Sequence, residues 1–291
     1  MRLPLTACAA AMLAVLAAIG STPAAPALAA EAAPASRTLA YGPDSMQALD
    51  YWPGPRADAP LVVFVHGGGW KWGDKQMMDG SAKLEHWRAL GYAVASVNYR
   101  LVPEARVEEQ AADIAAALAF LRQRAAQLGF DGTRIALVGH SAGAHLVTLV
   151  GTDPAYLGGA GLSLADIAGI VALDGAAYDV PAQMDEGPRV MQGTYRQAFG
   201  TDPARQAQLS PMHHAAAPNV DEFLILHVQR EDGTRQSQQF AEALRRGGSR
   251  VTIQGLAGEG LRGHAQINRQ LGEPGYPATA IVDAFLAQVL G

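Results

Sequence analysis

The 291-residue chain has a single cysteine, Cys8, so neither a disulfide framework nor a thiolate zinc site is open to it. Charge is scarce: 17% of residues are charged, with 22 basic against 27 acidic side chains and a formal net charge of −5 at pH 7. No dense block of Lys and Arg occurs, which argues against a nucleic-acid partner. The 32 glycines follow no period, which excludes collagen-like and repeat architectures. What the chain does have is apolar residues, 49% of the total, enough for a sizeable core and too many for a disordered chain. These bounds leave a globular protein of ordinary size with one folded domain.

The N-terminus reads differently from the rest. Arg2 precedes an apolar run over 5–19, followed by Gly20, Pro23 and Pro26 and then the small-x-small pattern Ala27-Leu28-Ala29. The run is too short for a membrane-spanning anchor and has the layout of a secretory signal peptide. We expect residues 1–29 to be removed by cleavage after Ala29 or Ala30, 30–37 to form a flexible leader and 38–291 to fold. Export to the periplasm or the medium is the corresponding expectation, and cleavage would take away Cys8.

Short apolar runs at Leu61–Val65, Tyr92–Val97, Ile135–Val138, Ile170–Leu173 and Phe223–Val228 are rich in Val, Ile and Leu. Continuous apolarity over so few residues suits strands buried on both faces, as in a parallel sheet. Helical patterns at about 80–90, 105–128, 142–151, 235–247 and 278–290 lie between and after them, so an α/β domain with helices on both sides of the sheet is predicted. The segment 38–52 adds one or two antiparallel edge strands. The stretch 175–221 is longer than a simple crossover and reads as a small helical cap.

Gly139-His140-Ser141-Ala142-Gly143 follows one of these strands and opens a helix. This G-x-S-x-G spacing places a serine on a sharp, strained turn, where side chains at the flanking glycines would collide with backbone. Ser141 is therefore the candidate nucleophile. Upstream, His66-Gly67-Gly68-Gly69-Trp70 ends another strand, and its unshielded N–H groups can form an oxyanion hole: Gly68 and Gly69 together with Ala142. In folds built around such a serine the acid and then the histidine follow in the chain. Only His264 comes after the late acids Glu231 and Asp232, so it is the candidate base, placed by the sequence in a glycine-rich loop over 258–264. Asp232 is the preferred acid, because a short carboxylate before Gly233 suits a turn at a strand end. Glu231 and Asp174 are the alternatives.

Other polar residues have structural readings. His66 braces the glycine loop, His140 and His145 pack around the serine turn, and Asp74, Lys75, Asn98 and Arg100 pin the neighbouring loop. No histidine pair has metal-ligand spacing with a carboxylate nearby, so no metal is expected. Trp70, His140, Tyr178, Met184 and Tyr195 are candidates for lining a substrate pocket.

Taken together, His66-Gly-Gly-Gly-Trp70 with Gly73-Asp74-Lys75, Asn98-Tyr99-Arg100-Leu101, Gly139-His-Ser-Ala-Gly-Ala-His145 and His264-x-x-Ile267-Asn268-x-x-Leu271-Gly272 resemble the α/β-hydrolase superfamily. The nearest branch is that of secreted bacterial esterases similar to feruloyl and acetyl-xylan esterases, together with kynurenine formamidase-like enzymes. The resemblance implies an eight-stranded, mostly parallel sheet and a cofactor-free serine hydrolase acting on a small-molecule ester, without nucleic-acid partner or membrane anchor. It carries over Ser141 as nucleophile, His264 as base, and Gly68, Gly69 and Ala142 as oxyanion donors. One departure is visible: His227-Val-Gln-Arg-Glu-Asp232 lacks the His-Gly-x-x-Asp pattern common at the acid strand. The expected function is a secreted carboxylesterase for small or aromatic acyl groups. The alternatives are an arylformamidase and a non-catalytic binding protein on the same fold.

Overall fold

A computed structural model of the chain describes residues 36–216 and 218–291. The predicted signal peptide, and the leader up to residue 35, lie outside the described residues. Eight strands form one sheet in the order β1-β2-β4-β3-β5-β6-β7-β8. They are β1 Arg37–Ala40, β2 Ala48–Trp52, β3 Leu61–Val65, β4 Ala93–Val97, β5 Ile135–His140, β6 Gly169–Leu173, β7 Glu222–Gln229 and β8 Arg250–Glu259. The two N-terminal strands pair antiparallel at one edge and the other six run parallel.

The apolar runs form these strands because each has something to bury on both sides. Leu61, Val63 and Val65 of β3 face one core, whereas Val62 and Phe64 face the other. The first core is closed by α2 (Val107–Gln123), α3 (Ala142–Thr152) and α7 (Glu231–Arg246), through residues such as Ile114, Leu146 and Phe240. The second is closed by α1 (Ala82–Ala89), α8 (Gly260–Gln270) and α9 (Pro277–Leu290), through Trp87, Ile267 and Phe285. Burying each such side chain contributes about 1.5–3 kcal/mol. Between β6 and β7 the chain folds into short helices, α4 (Val180–Glu186), α5 (Gln192–Phe199) and α6 (Pro203–Gln208), so the long connection is helical, as its length suggested. Among the described residues, no helix is long and apolar enough to cross a membrane.

The topology positions the site. From β3 the chain steps to β4 on one side and returns to β5 on the other, so the carboxyl ends of β3 and β5 meet at a topological switch point, where such sheets leave a crevice. Val65 is in register with Gly139, and His140 with Leu173. The glycine loop after β3, Ser141 after β5 and Asp174 after β6 therefore stand side by side.

Candidate active site

Ser141 occupies a turn that few L-residues adopt, with φ 57° and ψ −119°, a conformation that costs on the order of 1–3 kcal/mol. The surrounding glycines allow it. A Cβ on Gly139 would overlap the backbone of Gly143, and one on Gly143 would overlap the carbonyl oxygens of Val65 and His66. The elbow is thus pressed against the end of β3, and α3 opens directly behind it.

From there a hydrogen-bonded chain runs through three residues. The Ser141 hydroxyl donates to His264 Nε2 at 2.9 Å, and His264 Nδ1 donates to Asp174 Oδ2 at 2.6 Å. Asp174 is fully buried, ends β6 at φ 44°, and accepts a second hydrogen bond from the Val228 amide at 3.0 Å. The Arg230 guanidinium forms an ion pair with it at 3.0 Å. Burial by itself would raise the Asp174 carboxyl, but the His264 hydrogen bond, the Arg230 charge and the Val228 amide outweigh it and hold the group below the usual carboxylate range. A hydroxyl bonded to an imidazole that is oriented by a buried carboxylate can deliver a nucleophile and return its proton to a leaving group.

The acid expected from the sequence is not the one beside the histidine. Asp232 lies in the first turn of α7, where it accepts a 3.0 Å hydrogen bond from Gln183 Nε2 and stands 3.9 Å from Arg230 Nη1. The reason is one of register. Leu226 is level with Leu173, but β7 continues to Gln229, paired with β8 through a bulge. By residues 231–232 the chain has passed the level of the site and turned towards the helices between β6 and β7. Glu231 shares this displacement. Asp174, directly after Leu173, is in register with Ser141 and needs no such excursion.

His264 also differs in context. It belongs to α8 instead of a loop, because β8 extends to Glu259 and the glycines at 258 and 260, at φ 129° and 52°, turn the chain straight into a helix. Gly263, Ile267 and Leu271 form its buried stripe, an i, i+4 pattern that the neighbouring glycines obscure in the sequence. His140 is stacked beside it with ring centroids 4.6 Å apart and donates from Nε2 to the His264 carbonyl at 2.9 Å. Burial, reinforced by His264, pushes His140 down to about 3, so it braces His264 as a neutral ring.

The glycine loop crosses directly over the serine: a Cβ on Gly67 would come within 2.9 Å of the Ser141 Cβ. Gly68 has φ 124°, and a Cβ there would overlap the Trp72 carbonyl. Among the described residues, the N–H groups of Gly68 and Gly69 donate to no protein acceptor. Ala142 contributes the first amide of α3 beside the same point. The loop is held from behind. Asn98 donates to Asp74 at 2.9 Å, and Lys75 pairs with Asp50 at 2.9 Å. Arg100 turns away to Asp113. Trp70 Nε1 donates to His145 Nδ1 at 3.2 Å, while His145 Nε2 donates to the Leu209 carbonyl at 2.8 Å. His145, pushed down to about 4 by burial, is a neutral bracket between the loop and the helical connection.

A cavity of about 1020 Å³ opens over Ser141 and His264. Its wall includes the apolar Trp70, Trp72, Pro188, Met191, Tyr195 and Leu261 and the polar Ser81, Lys83, Asn268, Arg269 and Glu273. Of the predicted lining residues, Trp70, His140 and Tyr195 are present. Tyr178 is not: it is fully buried and stacked on Phe240 with centroids 4.7 Å apart. Met184 is also absent from the wall and packs against the first core. Pro188 and Met191, in the turn between α4 and α5, reach the cavity in its place. The sequence reading missed Arg230 and Lys83, neither of which sits in a motif.

A parallel sheet with an antiparallel edge, a serine elbow after β5 and a glycine loop after β3 define the α/β-hydrolase fold. The chain belongs to the BD-FAE family, an esterase family of that superfamily, whose model matches residues 51–244. It is 29% identical over 222 residues to the esterase LipC of Mycobacterium tuberculosis, covering 72% of this chain and 55% of that protein. It is 37% identical over 125 residues to the carboxylesterase NlhH of the same species, covering 42% and 39% respectively. The chain thus spans about half the length, or less, of these curated relatives. Among solved structures it resembles esterase B of Lactobacillus rhamnosis, with TM-score 0.72, 22% identity and coverage of 88% and 84%. It also resembles the butyrate-bound esterase 2 of Thermogutta terrifontis, with TM-score 0.69, 23% identity and coverage of 89% and 95%. These two likenesses concern the fold.

Proposed function

We propose that this chain is a carboxylesterase that works through Ser141, His264 and Asp174, with Gly68, Gly69 and Ala142 as oxyanion donors. The observation that carries the reading is the unbroken hydrogen-bonded chain from Ser141 Oγ through His264 to the buried Asp174 carboxylate. His264 takes the Ser141 proton as Oγ attacks the ester carbonyl, and the backbone amides stabilise the oxyanion. His264 then returns the proton to the departing alcohol, and water activated by the same base releases the acid. Trp70, Met191 and Tyr195 give apolar lining for the hydrocarbon part of the ester, and the exposed Trp72 and Leu261 belong to the same wall. The N-terminal pattern supports export, which would place the enzyme among external esters.

The test is a series of 4-nitrophenyl esters from acetate to decanoate, with N-formylkynurenine alongside. Ester turnover that disappears in Ser141→Ala supports the reading. Fast deformylation with feeble ester turnover would move the reaction to amides. Binding without turnover of either substrate would make the chain a binding protein.

A further inference from the structure

Two lysines are buried near the site, and their surroundings differ. Lys75, 8% exposed, is clasped by both carboxylate oxygens of Asp50 at 2.9 Å. Lys83, in the first turn of α1 and only 3% exposed, has no such partner. Its Nζ donates to the Asn268 carbonyl at 3.0 Å and stands 5.2 Å from the centre of the Phe64 ring. Among the described residues that carbonyl is its only hydrogen-bond partner. An ammonium has three donors, so two find no acceptor among the described residues. Beside it, the buried Oδ1 of Asn268 also has no partner. Both residues line the cavity that holds Ser141.

A buried charge is ordinarily paired, because desolvation is expensive and only a counter-ion offsets it. The charged and titratable groups around Lys83 do not supply one. His140, behind it, is kept neutral by burial. Asp79 is exposed and Glu273 half-buried in the wall, and among the described residues neither carboxylate pairs with Nζ; Arg269, also exposed, is a cation and can offer no counter-charge. Burial without a counter-ion pushes Lys83 down to about 8, so it is still mostly charged at neutral pH. The position is also informative. Asn268 follows His264 by four residues on α8, one turn or about 6 Å along the axis.

We propose that Lys83 is a specificity-determining residue whose ammonium receives a carboxylate carried by the substrate, so that the cavity selects esters bearing an acid group a few atoms from the scissile bond. Half-esters of small dicarboxylic acids, and acyl esters of small hydroxy acids, have this form. The free Oδ1 of Asn268 accepts from a hydroxyl or amide on the same spacer. The inference rests on the esterase reading above.

Two matched pairs of esters test it on the whole chain: mono-4-nitrophenyl glutarate against 4-nitrophenyl butyrate, and 4-acetoxybenzoate against phenyl acetate. The first places the carboxylate on the acyl side and the second on the leaving group. In at least one pair the acid ester should have the lower KM by ten-fold or more, and the pair that shows it identifies which side of the ester lies against Lys83. Lys83→Met should erase the difference and Lys83→Arg should keep most of it. The preference should also fade as pH rises past about 8, where Lys83 loses its proton. Equal losses on charged and neutral esters in Lys83→Met would overturn the proposal and leave Lys83 as a tie between α1 and α8. So would a wild type that prefers the neutral ester of both pairs. If the wild type hydrolyses no ester, the esterase reading fails separately, and free glutarate decides the site: it must raise the Tm of wild type and not of Lys83→Met, and no shift in either overturns the proposal.

Discussion

Ser141 and Asp174, the proposed nucleophile and acid, lie at the ends of neighbouring strands, one residue beyond a shared register pair, yet only the serine could be located from the chain alone. The difference lies in what fixes each of them. Ser141 is set by local backbone: a positive φ, glycines that cannot carry a Cβ, and a helix starting at the next residue. All of that is written within five consecutive residues. The acid is set by reach across strands. Any carboxylate on the correct side of β6 or β7 could in principle meet His264, and the choice depends on how far β7 runs past its neighbour. A bulge and three further residues carry Asp232 beyond the site, whereas Asp174 stops level with it. The turn argument that favoured Asp232 before Gly233 applies equally to Asp174 before Gly175, so composition could not separate them.

This contrast can be broken or sharpened by mutation. The largest effect is expected at the backbone-fixed end: Ser141→Ala should lower ester turnover by about 10⁴-fold or more, measured as kcat on 4-nitrophenyl butyrate with folding checked by circular dichroism. At the acid end, Arg230→Gln removes the cation that helps keep Asp174 ionised. The Asp174 carboxyl should then rise towards the ordinary carboxylate range. The stability sign follows. A carboxyl held below its unfolded value stabilises the fold above about pH 4, and that contribution is lost as pH falls towards the folded value. Arg230→Gln should therefore narrow the difference in urea midpoint between pH 7 and pH 3.

Smaller effects distinguish the cavity wall from its support. Met191→Ala removes apolar lining from the cavity and should shift the acyl-length optimum, with changes of about ten-fold in kcat/KM between adjacent even chain lengths. Met184→Ala, which acts on core packing instead, should cost stability and leave the length profile alone. A changed profile in Met184→Ala would put that residue back in the pocket.

Much of the fold was readable for the same reason as the serine. The inner strands are short Val/Ile/Leu runs buried on both faces, and the glycine loop and elbow are local motifs. Asp74, Lys75 and Asn98 were also correctly read as loop ties. Features that depend on several distant segments were not readable. Tyr178 looks like a pocket aromatic until Phe240 is stacked on it, and the glycines around His264 suggest a loop until the buried stripe of α8 is seen. Lys83 carries no motif at all. Its significance comes from the missing carboxylate, which only the packed structure reveals.

The most direct test of the acid assignment compares Asp174→Asn with Asp232→Asn on one neutral ester at pH 7.5. Asp174→Asn should lower kcat by about 10⁴-fold, because the imidazole loses the partner that fixes its tautomer. Asp232→Asn should cost less than about ten-fold, through the Gln183 and Arg230 contacts alone. A thousand-fold loss in Asp232→Asn beside a nearly active Asp174→Asn would contradict the assignment and return the acid to β7.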